Sequence, residues 1–82
     1  MYIVEVKTSK PWQVKTRKLD ANRWSNISRD TVKSLKEAEV DLAYLMSNFD
    51  DFSKFLHNFK VEYRIRLGRD VVYTKEKVYN NN

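Results

Sequence analysis

Eighty-two residues with a net charge of +5 and no cysteine leave room for one domain and for neither disulfides, thiolate metal sites nor a cysteine nucleophile. No apolar run nears the ~20 residues that a membrane-spanning helix needs, and Glu5 interrupts the N-terminus before the apolar region of a signal peptide forms. The expectation is a soluble cytoplasmic protein, and a 41% hydrophobic share is enough for a core.

Tyr2, Val4 and Val6 alternate with Ile3, Glu5 and Lys7, the pattern of a strand with one buried face. Pro11, the one proline, breaks it. Trp12, Val14 and Thr16 then alternate with Gln13, Lys15 and Arg17 as a second strand running to Leu19. Asp20–Asn22 is turn chemistry, and Arg23–Ile27 reads as a third strand that completes a meander. Ser34, with Glu37 three residues on, forms a capping box that opens a helix. Its apolar stripe is Leu35, Ala38, Leu42, Leu45 and Phe49. Phe52, Phe55, Leu56 and Phe59 continue the spacing, either as a second short helix capped by Asp50 or as the end of one bent helix. Val61, Tyr63, Ile65 and Leu67 mark a further strand, Gly68–Asp70 a turn, and Val72, Thr74 and Val78 a last strand. The fold class is therefore α+β in the order β-β-β-α-(α)-β-β, with residues 1–79 as one domain and 80–82 as a disordered tail. An antiparallel or mixed sheet should cover the helices with one face and meet solvent with the other.

Charge is unevenly distributed. Lys7 to Lys36 holds nine basic residues against Asp20 and Asp30, whereas Glu37 to Glu62 holds six acidic residues against Lys54 and Lys60. From Tyr63 onward five basic residues face two acidic ones. A basic sheet and an acidic helical layer favour a polyanion on one side.

Strand parity turns Lys7, Lys15, Arg17, Arg64, Arg66, Tyr73, Lys75 and Lys77 away from the helices. Alternate residues of a strand lie ~6.6 Å apart, so these cations would form rows able to neutralise phosphates, and Tyr73 could stack on an unpaired base. Six or more such contacts would cost ~10³-fold in affinity between 50 and 200 mM salt. The plain alternative is a set of solubilising charges on surface and edge strands. Trp12 and Trp24, set among Lys10, Lys15, Arg17, Arg23 and Arg29, are either core pieces or stacking and cation–π partners. The spacing of Phe49, Phe52, Phe55 and Phe59 assigns all four to the core. His57 could pair with Ser53 or with Asp50, but a short helical cluster is poor evidence for a catalytic arrangement, and it reads as a helix-end or surface residue. Asp50 and Asp51 are ordinary acids at a helix start rather than a cation site. Neither an enzyme, a cofactor nor a metal is expected.

The layout of Tyr2-Ile-Val-Glu-Val6, Trp24, Ser34-Leu-Lys-Glu-Ala-Glu39 with Leu42 and Leu45, and Tyr63-Arg-Ile65 resembles small phage and prophage accessory proteins. The resemblance spans Tyr2 to Leu67 and uses generic strand and helix motifs. It implies a host-takeover or counter-defence role, including inhibition of a host nuclease or toxin, and carries over no functional residue. Two functions follow as expectations. One is a non-enzymatic nucleic-acid-binding protein, with RNA or single strands favoured because the longest helix is acidic. The other is a protein-binding inhibitor whose partner offers an acidic surface to the basic face, or a basic surface to Glu37, Glu39 and Asp41. A homodimer through an exposed sheet edge is compatible with either.

Overall fold

The β-rich ends of the sequence meet in a four-stranded sheet against which the central helix lies. In a computed structural model, which describes residues 1–14, 17–28 and 32–80, the strands of this sheet are β1 (Tyr2–Thr8), β4 (Ser25–Asn26), β5 (Phe59–Leu67) and β6 (Asp70–Tyr79). Their order is β4-β1-β5-β6 and every pairing is antiparallel. The α+β class holds. Lys15, Arg29 and the tail residues 81–82 lie outside the described residues.

The expected meander does not form. β1 has both of its edges occupied, by β4 and β5, so the next segment cannot add to it. That segment folds on itself instead, as a hairpin of β2 (Trp12–Val14) and β3 (Arg17–Leu19), with Trp12 opposite Leu19 and Val14 opposite Arg17. Arg17 therefore shares Val14's side of the hairpin, because residues paired across an antiparallel ladder face the same way. The hairpin returns to the sheet where the Asn22 N–H donates to the Thr8 carbonyl at 2.6 Å, with Asn22 at a left-handed φ of 57°.

Helix α1 (Leu35–Asp51) begins as its sequence predicts. The Ser34 hydroxyl accepts from the Glu37 N–H at 3.2 Å, and the Glu37 carboxylate accepts from the Lys33 N–H at 3.0 Å. Ala38, Leu42, Leu45 and Phe49 are buried against Val4, Val6, Val61, Tyr63 and Ile65 of the sheet, while Leu35 at the first turn is exposed. Phe49 contacts both Tyr63 and Phe59, with ring centroids 6.4 and 5.9 Å apart.

The second helix is not present. After Asp51 the chain makes a single 3-10 turn, Ser53–Phe55, and the positive φ of Asn58 (50°) swings it into β5, which starts at Phe59 rather than Val61. The four-phenylalanine stripe is split as a result. Phe49 and Phe59 are core, whereas Phe55 is largely exposed and Phe52, partly exposed, meets the Trp12 ring edge-on at 6.2 Å. At the opposite end of the sheet the two-residue turn Gly68–Arg69 joins β5 to β6, with Gly68 at φ +64°, where a side chain is disfavoured. No helix among the described residues is long and apolar enough to cross a membrane.

Candidate nucleic-acid interface

Register decides which charges meet on the side of the sheet turned away from α1. β1 and β5 pair so that Ile3, Glu5 and Lys7 stand opposite Arg66, Arg64 and Glu62. Glu5 lies in the middle of this face and is buried, although it is charged. Its Oε1 accepts from Nε of Arg64 at 2.7 Å and from Nε of Arg66 at 2.6 Å. Burial alone would raise the Glu5 pKa, but the hydrogen bonds from Arg66 and Arg64 outweigh it and hold the carboxyl below its ordinary range. Glu5 in turn raises the pKa of Arg66, whose Nη1 also donates to the Gly68 carbonyl at 2.8 Å.

Trp24, two residues after the left-handed Asn22, folds over the same face. The Arg64 guanidinium lies 4.0 Å from the indole centroid and the Lys7 ammonium 5.1 Å from it. Of the two sequence alternatives for the tryptophans, Trp24 follows the cation–π one and Trp12 the core one, its ring 5.6 Å from Phe59 and 6.3 Å from Phe49. Arg17 donates to the Asn26 carbonyl, and Asn26 stands opposite Glu5, so Arg17 sits at the β4 rim of the Glu5–Arg64–Trp24 cluster.

Lys7, Arg17, Arg64 and Arg66 therefore converge. Lys15 lies outside the described residues. Tyr73, Lys75 and Lys77 do not join them, and their expected orientation is corrected. They pair with Ile65, Tyr63 and Val61, the inward residues of β5, so they share the helix side of the sheet. Lys77 is hydrogen-bonded to Asp50 of α1, and the Tyr79 hydroxyl donates to the same carboxylate at 2.7 Å. The inward residues of β6 are the aromatic ones, Tyr79 in the core and Tyr73 packed against it, whereas the valines Val71, Val72 and Val78, which alternation alone would place inward, are exposed.

The open face also carries acids that the expected set omitted. Glu62 pairs with Lys7 at 3.2 Å and with Lys60 at 4.0 Å, and Lys60 reaches Glu76 at 3.6 Å. On this face Lys7, Lys60, Arg64 and Arg66 meet Glu5, Glu62 and Glu76, an excess of a single positive charge before Arg17 and the exposed Arg23 beside Trp24 are added at the rim. Glu5 and Lys7 share strand parity, and so do Lys60, Glu62 and Arg64, so these counter-ions were readable as neighbours once the strands were paired. The pairing itself joins segments almost 60 positions apart, and no local pattern reveals it.

A second feature lies where β1 leaves the sheet. A cleft of about 190 Å³ opens between the β1–β2 connection and the 3-10 turn, lined by Lys10, Pro11, Trp12, Phe55, Leu56, His57 and Phe59. Lys10 Nζ donates to the His57 carbonyl at 2.8 Å, and the Lys54 ammonium lies 5.2 Å from the centroid of the exposed Phe55 ring. His57 is exposed in the turn that leads into β5. Among the described residues no three His, Asp or Glu side chains are grouped to hold a metal ion. No family model matches the chain, and no curated protein or solved structure matches it either.

Proposed function

We propose that this protein is a non-enzymatic nucleic-acid-binding accessory protein that engages RNA or another single strand through the open face of its sheet. The supporting observation is the half-buried cluster in which the Trp24 ring lies 4.0 Å from Arg64 and 5.1 Å from Lys7, with Arg66 beside them and the exposed Arg17 at the rim. In this reading Lys7, Arg17, Arg64 and Arg66 contact phosphates, and the indole offers a π-face to an unpaired base. Duplex DNA is disfavoured because α1 carries Glu37, Glu39, Asp41, Asp50 and Asp51 against Lys36 and is no recognition helix for a major groove. The accessory role, in host takeover or counter-defence, comes from the sequence resemblance to phage proteins.

Because Glu5 and Glu62 already engage three of these cations, the salt response is smaller than that of a bare basic face. Three to four phosphate contacts to a single strand lower affinity about 20- to 50-fold between 50 and 200 mM salt. Fluorescence anisotropy with an unstructured labelled RNA across that range is the test. Absence of binding at low salt, or a flat response, overturns the reading.

A second reading, a protein-binding inhibitor of a host enzyme such as a nuclease or toxin, is favoured by a different surface. β6 is ten residues long, stands at the edge of its sheet, and exposes Val71, Val72 and Val78. A free edge with apolar side chains can accept a strand from a partner, or from a second copy of the chain. A partner that stays bound in a pull-down after nuclease treatment selects this reading over the first.

A further inference from the structure

Phe55 is 63% exposed and Phe52 43%, although both continue the apolar stripe of α1. Phe55 forms one wall of the cleft described above, and Trp12 forms the other, held from behind by Phe59 and Phe49. The rings are accompanied by cations: Lys10 is anchored by the His57 carbonyl and Lys54 rests on Phe55 itself. Among the described residues no carboxylate lines the cleft.

We propose that the cleft between Trp12 and Phe55 takes a second unpaired base of the bound strand, with Lys10 and Lys54 meeting the phosphates that flank it. The proposal rests on the nucleic-acid reading above and deepens it, since it makes the ligand a strand with at least two unstacked bases. Charge decides the occupant. Stacking on aromatic walls is open to any flat apolar group, but the ammonium groups of Lys10 and Lys54, at a cleft lined by no described carboxylate, favour a ring attached to anions. Distance is compatible as well. Lys7, beside Trp24, precedes Lys10 by three residues, so their Cα atoms are at most ~11 Å apart. A few nucleotides cover that span. The cavity is the size of one ring system rather than a whole nucleotide, so the sugar and phosphates remain at the mouth, where the lysines are.

The chain has two tryptophans, so Trp24→Phe leaves Trp12 as the sole indole reporter in the cleft. Wild-type protein and this variant are titrated with labelled oligouridylate and with an abasic oligomer of equal length, reading anisotropy and Trp12 fluorescence together. The expected result is that both oligomers bind, that only oligouridylate quenches Trp12, and that Phe55→Ala removes the quench and weakens oligouridylate about 5- to 100-fold. Lys54→Gln, at an exposed position, lowers affinity for both oligomers and reduces the salt slope by about one contact. Oligouridylate binding to wild type and Phe55→Ala alike, with Trp12 fluorescence unchanged, overturns the cleft assignment and leaves the sheet-face reading standing. No anisotropy change with either oligomer on the wild type overturns both. Quenching by an acidic aromatic peptide and not by oligouridylate overturns the base assignment in favour of a protein ligand.

Discussion

β5 and β6 are neighbours, joined by a two-residue turn, and the same alternation runs through both, yet only one of them obeys it. In β5 the odd positions Phe59, Val61, Tyr63 and Ile65 are all at most 2% exposed, while the even ones face solvent. In β6 only Tyr79 is buried, and the valines that seemed to mark an inward face lie outside. α1 accounts for the difference. Its stripe covers β1 and β5, so those strands have one dry and one wet side, whereas β6 lies at the edge with both sides largely wet. Alternation reports which way a strand faces only when something dry is there to face.

The largest effect that sharpens this contrast is on stability. Ile65→Ala removes a fully buried side chain from the central strand and is expected to cost about 2–5 kcal/mol. Val72→Ala in β6 should stay within about 0.5 kcal/mol. Urea unfolding followed by circular dichroism measures both. An 82-residue domain holds only on the order of 4–12 kcal/mol in total, so the first variant comes close to unfolding. Comparable losses at the two sites would mean that β6 is as well covered as β5 and that the contrast is false.

Next in size is Glu5→Gln. This side chain is buried in the open face and accepts from two guanidinium groups, so loss of its charge is expected to cost about 1.5–3 kcal/mol. Its pKa is lowered on folding, which means that the carboxylate stabilises the fold above the unfolded-state pKa and that this contribution drains away as pH falls through the folded-state value. The gap between wild type and Glu5→Gln should therefore be widest near neutrality and close below about pH 4. The same change frees Arg64 and Arg66 from their counter-ion. If the sheet face binds a polyanion, the less stable variant binds RNA more tightly, severalfold at 50 mM salt. Destabilisation together with weaker binding would make Glu5 part of the binding arrangement rather than its competitor.

These residues also mark what the sequence could disclose. The stripe of α1 from Ala38 to Phe49, its Ser34 cap, the alternation of Val4 and Val6 in β1 and of Val61, Tyr63 and Ile65 in β5, and the Gly68 turn are local patterns, and each lies where expected. Three features were out of reach because they depend on partners distant in the chain. The β2–β3 hairpin forms only because β1 is already flanked on both sides. Phe52 and Phe55 keep helical spacing but lose the helix when the backbone turns at Asn58 towards β5. Neutralisation of Arg64 and Arg66 required knowing that Glu5 lies opposite Arg64 and diagonal to Arg66, and a count of charges along the chain treats Glu5 as one stray acid among basic strands. Four of the seven expected cations, Lys7, Arg17, Arg64 and Arg66, nevertheless converge, because three of these four belong to strands sorted by the core.

The smallest effect tests a polar contact between β6 and the helical layer. Lys77 and the Tyr79 hydroxyl both donate to Asp50, and the bond from Lys77, followed by that from Tyr79, holds the Asp50 carboxyl below its ordinary range. Lys77 and Asp50 are each about two-fifths exposed, so solvent and salt screen the pair. A double-mutant cycle with Asp50→Asn and Lys77→Met should return a coupling below about 1 kcal/mol, fading further in molar salt. A coupling of about 2 kcal/mol or more would make this contact a true anchor and β6 a firmly clamped strand. Lys77→Met carries a second consequence, which bears on function. Since Lys77 points to the helix side, its loss should leave RNA affinity within about twofold, the change expected when one distant, screened charge is removed. Arg64→Met, thirteen residues earlier on the opposite face, should weaken binding markedly and reduce the salt slope. Equal losses for the two variants would show that a bound strand responds to the overall charge of the protein and not to one face of its sheet.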